Sequence, residues 1–284
     1  MTLSPRQVSE LLGSHGLAPR RALGQNFVAD PNTVRRIARL AGAGPGDRVV
    51  EIGAGLGSLT LALAETGAAV TALEMDHHLI GLLADVVAGA GVRIVEADAM
   101  SVDWDDLLGV APGWALVANL PYNVATPLVA DLLDGVPQIT RMLVMVQREV
   151  GERMAAGVGD DAYGAVSVKI RYWATAAVVG RVPPSVFIPR PRVESVLVAI
   201  DRRPQPAVDP HQLPAAELFG VVRAGFAHRR KMLRRSLAGV VPADAFETAG
   251  IAPTQRAEDL DVEAWGRLAI AARGSGLAVT GGGR

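Results

Sequence analysis

No cysteine occurs among the 284 residues. That excludes disulfides, thiolate nucleophiles and thiolate metal sites. Histidine is scarce as well. There are five, none at HxxxH spacing, and the neighbours His77 and His78 would point apart on a helix, so no metal is expected. No apolar run approaches the roughly 20 residues that a membrane-spanning helix needs. The first twenty residues carry Arg6, Glu10 and Arg20 but no signal-peptide core. A cytoplasmic protein with no membrane partner is expected, and a monomer. Net charge is also nearly missing, at -1, which gives no reason to look for a polyanion. What is present in quantity is apolar residues, half of the chain, enough for one large domain or two.

The small total conceals an asymmetry. Residues 1–40 hold six Arg against two acids, a net of +4. Residues 41–140 hold two Arg against thirteen acids, a net of -11. Residues 181–235 hold eleven Lys or Arg against four acids, a net of +7. Concentrated basic stretches are either a solvated surface or the footprint of a polyanion partner.

Short apolar runs alternate with helix-like segments. "RVVEIG", "AVTALEMD", "VRIVEADA", "WALVANL" and "RMLVMVQREV" read as strands, the last running into a helix; "ATAAVVGRV" and "ESVLVAID" read as two more. Such alternation predicts an α/β fold with a mostly parallel sheet and crossover helices. The proline-rich 201–214 reads as a linker. Helical patterns follow it, including an unbroken "AAELFGVVRAGFAHRRKMLRRSLAGV". The expected domains are 1–203, a helical 204–273, and a disordered tail at 274–284 with too few core formers to pack.

Chemistry gathers at the strand ends. "VVEIGAGLG" places Gly53, Gly55 and Gly57 between a strand and a helix, where backbone can approach a ligand closely. The third glycine of the nicotinamide pattern GxGxxG is Ser58 here, so that fingerprint fails by one residue. Glu51, two places before the loop, better fits the S-adenosylmethionine version of this turn. Glu74 ends the second strand, where a carboxylate can accept both ribose hydroxyls. Asp98 ends the third and could accept from an adenine amino group. Each acid could instead be a helix cap, but a glycine loop, Glu and Asp at successive strand ends favour a cofactor.

The fourth strand ends in "NLPYN". Adenine's exocyclic amine is a poor nucleophile because its lone pair is delocalised into the ring. Methylating it requires acceptors for both N–H groups. The Asn119 side chain and a main-chain carbonyl in a turn fixed by Pro121 meet that need. Tyr122 offers a flat face to a flipped base. The stretch resembles the Asp/Asn-Pro-Pro-aromatic signature of amino-group methyltransferases, with Leu120 at the first Pro.

With "LGQNFVAD", "EIGAGLGSLT", "LEMD", "EADAM", "ANLPYNVATPL", "VQREVGERM", "AYGAVSV", "VFIPRPRVESV" and "FAHRRKMLRRSL", residues 18–270 closely resemble the KsgA-type ribosomal RNA adenine N6,N6-dimethyltransferases. The resemblance implies a Rossmann-like sheet of seven strands with a small all-helical C-terminal domain. It implies S-adenosyl-L-methionine as methyl donor and no metal. It implies dimethylation of two adjacent adenosines in the 3'-terminal hairpin of small-subunit ribosomal RNA, within the immature small subunit. It assigns donor contacts to Asn26, Val28, Gly53, Glu74, Asp98 and Asn119, to which the glycine loop adds Gly55. The target site would use Asn119, Leu120, Pro121 and Tyr122, with Phe187 flanking the base opposite Tyr122.

RNA contacts would fall on Arg190, Arg192, Arg223, Arg229, Arg230, Lys231, Arg234 and Arg235. On a helix, 230 with 234 and 231 with 235 would stack like charges at i,i+4. The loop "GVGDDAYG" departs from the family, with Asp160 and Asp161 where a basic or neutral pair is common. Three rivals remain: a large-subunit adenine N6-methyltransferase of the macrolide-resistance type, a non-catalytic ribosome-assembly factor, and a nicotinamide oxidoreductase. The "NLPYN" and "RRKMLRRSL" stretches oppose the first, the intact Asn119, Pro121 and Tyr122 the second, and Ser58 the third.

Overall fold

Strands that are apolar throughout need cover on both faces. The computed structural model describes residues 2–274 and supplies that cover. In chain order its elements are α1 (Pro5–Ser14), β1 (Phe27–Val28), α2 (Pro31–Leu40), β2 (Arg48–Ile52), α3 (Ser58–Ala64), β3 (Ala69–Glu74) and α4 (His77–Val86). Next come β4 (Arg93–Glu96), α5 (Trp104–Leu108), β5 (Trp114–Asn119), α6 (Ala125–Gly135), β6 (Ile139–Gln147), α7 (Arg148–Ala155) and α8 (Ala165–Trp173). The last are β7 (Ala174–Val182), β8 (Phe187–Ile188), β9 (Ser195–Arg202), α9 (Ala215–Ala227), α10 (Leu233–Ser236), α11 (Ala243–Thr248) and α12 (Val262–Gly274). Of the tail expected at 274–284, all but Gly274 lies outside the described residues.

The seven expected strands form one sheet in the order β4-β3-β2-β5-β6-β9-β7. The run from β4 to β6 is parallel, and β9 is antiparallel to β6. Val49, Val117, Leu143 and Leu197 pack on Val34 and Ile37 of α2 and Leu59 and Leu63 of α3. The alternate residues Val50, Leu116 and Val144 point to the other face and are fully buried too. From β2 the chain winds outward through β3 and β4, then lays β5 on the other side of β2. That reversal opens a crevice at the carboxyl ends of β2 and β5, where such sheets bind ligands. Arg202, at the end of β9, closes the carboxyl end of α6. Its guanidinium donates to the carbonyls of Leu132, Leu133, Val136 and Ile139 at 2.9–3.2 Å.

The chain divides into two compact units: Met1–Gly151 with Ala177–Arg202, and Glu152–Ala176 with Arg203 onward. The sequence reading assigned 152–176 to the first domain, and the structure places it in the second. The cause is aromatic packing. Tyr163 is fully buried and donates to the Leu260 carbonyl at 2.9 Å. The Tyr172 ring meets Phe219 edge-on at 5.2 Å. The core of this unit joins both tyrosines to Leu218, Val222, Leu233 and Trp265.

The basic run is not one helix. After α9 the chain turns, with Lys231 N donating to His228 O at 2.8 Å, and Met232 bridges to Arg256. Leu233 and Arg234 then donate to the carbonyls of Gln255 and Pro253, at 2.7 and 3.1 Å. Helical continuation loses to these tertiary bonds and to full burial of Leu233. The expected like-charge i,i+4 stacks across 230–235 are therefore absent.

Candidate active site

Four parallel strand ends converge on one cavity of about 230 Å³, lined by residues 22–27 and by the ends of β2, β3, β4 and β5. Asn26, Gly53, Gly55, Glu74, Asp98, Asn119, Leu120, Pro121 and Tyr122 all line it. Gly53 and Gly55 have φ of 72° and 57°, a region costly for side chains. A Cβ on Gly55 would also lie 3.0 Å from the Phe27 ring, so the loop and β1 can approach only with glycine there.

Glu74 is 5% exposed. Its Oε2 accepts from Gly55 N at 2.7 Å and its Oε1 from Asp76 N at 2.9 Å. Burial pushes its pKa up, and those two N–H groups pull the other way. A carboxylate has about four lone-pair sites, and with the N–H groups of Gly55, Asp76 and Met75 turned to it, capacity for a ribose hydroxyl remains. Asp98 is exposed, and its Oδ1 accepts from Met100 N at 2.9 Å. It is thus a turn former and a cavity wall at once.

Asn119 ends β5. Its Nδ2 donates to the Asn26 carbonyl at 2.8 Å. A carbonyl can only accept, so this bond fixes which end of the amide is nitrogen. No donor among the described residues reaches the Oδ1 left on the other side. Pro121 was expected to offer a carbonyl, but that oxygen already accepts from Val124 N and Ala125 N, both at 3.2 Å, as α6 begins. The Leu120 carbonyl, next in the chain to Asn119, has no such donor among the described residues, and the Leu120 side chain is 1% exposed. The Tyr122 hydroxyl lies 3.0 Å from Ser195 Oγ at the start of β9, which holds the ring's outer end.

Two candidates lie elsewhere. Phe187 is 3% exposed and packs with Val28, Val34 and Leu197. The β1–β8 ladder pairs it with Val28, and neither lines the cavity. Successive strand residues face opposite ways, so the Phe27 side chain lines the cavity and that of Val28 faces the core, which leaves Val28 its main chain for a donor contact. Arg190 and Arg192 are exposed, as are Arg223, Arg229, Arg230, Lys231, Arg234 and Arg235. Arg229 is engaged within its own unit, by Glu258 at 2.7 Å and the Asp161 carbonyl at 2.6 Å.

Sequence reasoning passed over several residues. Met75 and Met100 line the cavity yet are 49% and 45% exposed. Their signal was their place one and two residues after the strand-end acids Glu74 and Asp98; a thioether suits the face of a flat ring. Gln25, Phe27 and Asp76 were also missed. His77 and His78 do not point apart, since their ring centroids are 3.9 Å apart at the start of α4. With Asp76 they form the one group of possible metal ligands among the described residues. Asp76, however, already accepts from Arg20, Gln25 and His78 N, which leaves little for a cation.

A family model for ribosomal RNA adenine dimethylase matches residues 16–273. The chain belongs to the ribosomal RNA adenine dimethylase family. Among its relatives is the ribosomal RNA small subunit methyltransferase A of Streptomyces coelicolor, 48% identical over 94% of this chain and 96% of that one. The protein of the same name from Cutibacterium acnes is 45% identical over 92% and 91%. Among solved structures, a dimethyladenosine transferase from Plasmodium falciparum shares the fold, with a TM-score of 0.72, 24% identity and coverage of 84% and 94%. The 23S rRNA methyltransferase ErmE aligns with a TM-score of 0.67, 25% identity and coverage of 87% and 100%. Dimethylases of this family use S-adenosylmethionine, and no helix among the described residues is long and apolar enough to cross a membrane.

Proposed function

We propose that this chain transfers methyl groups from S-adenosyl-L-methionine to N6 of two adjacent adenosines in the 3'-terminal hairpin of small-subunit ribosomal RNA, acting in the cytoplasm as a monomer on the immature subunit. The observation that carries the reading is the fixed amide of Asn119, with an acceptor oxygen turned from the protein and the Leu120 carbonyl beside it in the chain. The donor set fits the cofactor: a glycine loop whose lack of side chains lets a ligand approach the main chain, a carboxylate at Glu74 beside it, a second at Asp98, and two methionines flanking them.

The donor's sulfonium supplies an already activated methyl group. In the first transfer Asn119 Oδ1 and the Leu120 carbonyl accept the two N6 hydrogens and turn the nitrogen lone pair out of conjugation; in the second, one of the two accepts the single hydrogen left on the monomethylated nitrogen. Tyr122, braced by Ser195, stacks on the base. The same two acceptors stabilise the positive charge that develops on nitrogen. Rate then comes from aim, and the displaced proton passes to solvent. Arg190, Arg192 and the exposed basic residues between 223 and 235 hold phosphates.

The test is mass mapping of methylated adenosines after incubation with unmodified small and large subunits. Modification of the small subunit alone is expected. Modification of the large subunit instead would overturn the reading. Asn119→Ala should abolish most turnover on small subunits while RNA binding persists; unchanged turnover would overturn the mechanism.

A further inference from the structure

Residues 22–26 line the cavity, and one carboxylate fastens the segment from Arg20 to Gln25. The segment closes on itself first. Leu23 N donates to the Arg20 carbonyl at 3.1 Å, and Arg20 N donates to Gln25 Oε1 at 2.8 Å. That second bond fixes Gln25's amide, because Oε1 is the end that can accept. Its Nε2 therefore points away from Arg20 N, and it donates to Asp76 Oδ2 at 2.8 Å. Arg20 Nη1 donates to Asp76 Oδ1 at 3.1 Å. Both ends of the loop end on one side chain.

Asp76 is placed to connect more than the loop. It is 3% exposed although it is charged. Its Oδ1 also accepts from His78 N at 3.2 Å and so caps α4. Its backbone N–H donates to Glu74 Oε1. At the far end of the segment, Asn26 Nδ2 donates to the Gly24 carbonyl at 2.9 Å, and the Asn26 carbonyl takes Asn119 Nδ2. Gly24, at φ 64°, lies so near Pro121 that a Cβ there would be 3.0 Å from the proline's own Cβ. The segment thus touches the amine-binding turn at two points and the donor-binding acid's neighbour at two more.

We propose that Asp76 is a positioning residue for methyl transfer: by fastening Arg20 and Gln25 it holds the Asn26 carbonyl where that carbonyl turns Asn119 Oδ1 toward the acceptor amine. Donor enclosure and amine orientation are then one event. While the segment is unfastened, the Asn119 amide has lost the acceptor that selects its orientation, and the cavity has lost its wall at 22–27. The proposal deepens the methyltransferase reading of the site and rests on it.

The test inverts the polarity of one hydrogen bond. Asp76→Asn keeps an acceptor for Arg20 and His78 N but presents an amide N–H to Gln25 Nε2, donor against donor. Gln25→Glu keeps the acceptor for Arg20 N but presents a carboxylate to Asp76, acceptor against acceptor. The double variant restores a donor–acceptor pair with the net charge of the parent. In the full chain, each single variant should release S-adenosylmethionine roughly tenfold faster, and slow single-turnover methylation of unmodified small subunits roughly tenfold at saturating donor. The double variant should recover both rates to within about threefold. Hydrogen exchange of residues 20–26 should rise in the singles and fall back in the double.

A double variant as slow as the slower single, or slower, would overturn the latch. Single variants with normal single turnover at saturating donor would show that Asp76 acts on donor affinity only, and would overturn the positioning role. A parent that binds donor but methylates no small subunits would count against the proposed substrate, while the release and exchange measurements would still decide the latch.

Discussion

Replacing Glu74 separates two roles that the structure gives to one carboxylate. Glu74→Ala is the obvious variant, and it is the less useful one. It would leave Gly55 N and Asp76 N, both bonded to Glu74, without acceptors, at about 1–3 kcal/mol each. Glu74→Gln is cleaner. Its Oε1 keeps one of the two N–H partners, and its Nε2 faces the other. One orphaned N–H should cost about 1–3 kcal/mol of stability. Loss of the buried charge offsets part of that, because burial already holds this carboxyl above its ordinary pKa. Loss of a charged acceptor for a ribose hydroxyl should cost a further 1.5–3 kcal/mol, roughly, in binding, which is about 10- to 150-fold in Kd. Calorimetric titration with S-adenosylmethionine, beside urea unfolding of the free protein, reads both quantities. Donor affinity within twofold of the parent, together with lowered stability, would reduce Glu74 to a brace for the glycine loop and remove it from the donor site.

Glu51 is 2% exposed, its Oε2 has no hydrogen-bond partner among the described residues, and burial above all pushes its pKa from 4.5 to about 8. The folded chain then holds a proton that the unfolded chain has released, so stability falls as pH rises from about 4.5 to about 8, by up to about 1.4 kcal/mol per pH unit. Glu51→Gln should flatten urea-unfolding midpoints across that window and raise them most near pH 8; a parallel pH profile would refute this. Arg202→Met should lower stability by about 2–4 kcal/mol, since four carbonyls lose a charged donor, and leave donor affinity unchanged; unchanged stability would mean that water replaces the guanidinium. Gln at Arg230, Lys231, Arg234 and Arg235 should flatten the salt dependence of ribosomal-particle binding with little change in melting temperature, whereas Arg229→Gln, which breaks the Glu258 pair, should lower melting temperature. An unchanged salt slope in the fourfold variant would place the RNA surface elsewhere.

Period and composition made the sheet legible. A parallel strand covered on both faces is a continuous apolar run, and each of the seven runs is a strand. The strand ends were legible for the same reason, because residues there are exposed to a crevice instead of a core and so carry chemistry. Glu74, Asp98 and Asn119 all stand at or just after such ends and line one cavity. The two-residue ladder of β1 with β8 had no periodic signal. Val28 and Phe187 were therefore known as site candidates only through the family resemblance, and the ladder that turns their side chains to the core was not legible. The break in the basic helix was equally hidden, since it depends on carbonyls of Pro253 and Gln255 some twenty residues away. Local propensity there is helical, and tertiary bonding overrides it.

The residues that sequence reading missed are those that act through backbone. Asn119 could be picked from the chemistry of an amine that needs acceptors. That its orientation depends on the carbonyl of Asn26 could not, because every residue has a carbonyl. The same holds at Pro121 and Leu120. Proline attracted attention as the residue that fixes the turn, but a proline that begins a helix gives its carbonyl to the helix's first N–H groups. In this chain Val124 N and Ala125 N take it, and the acceptor role passes back to the residue before. Leucine therefore suffices where the amino-methyltransferase signature has proline: the position contributes its main chain, and its side chain need only fill the core beneath the turn, where Leu120 is 1% exposed.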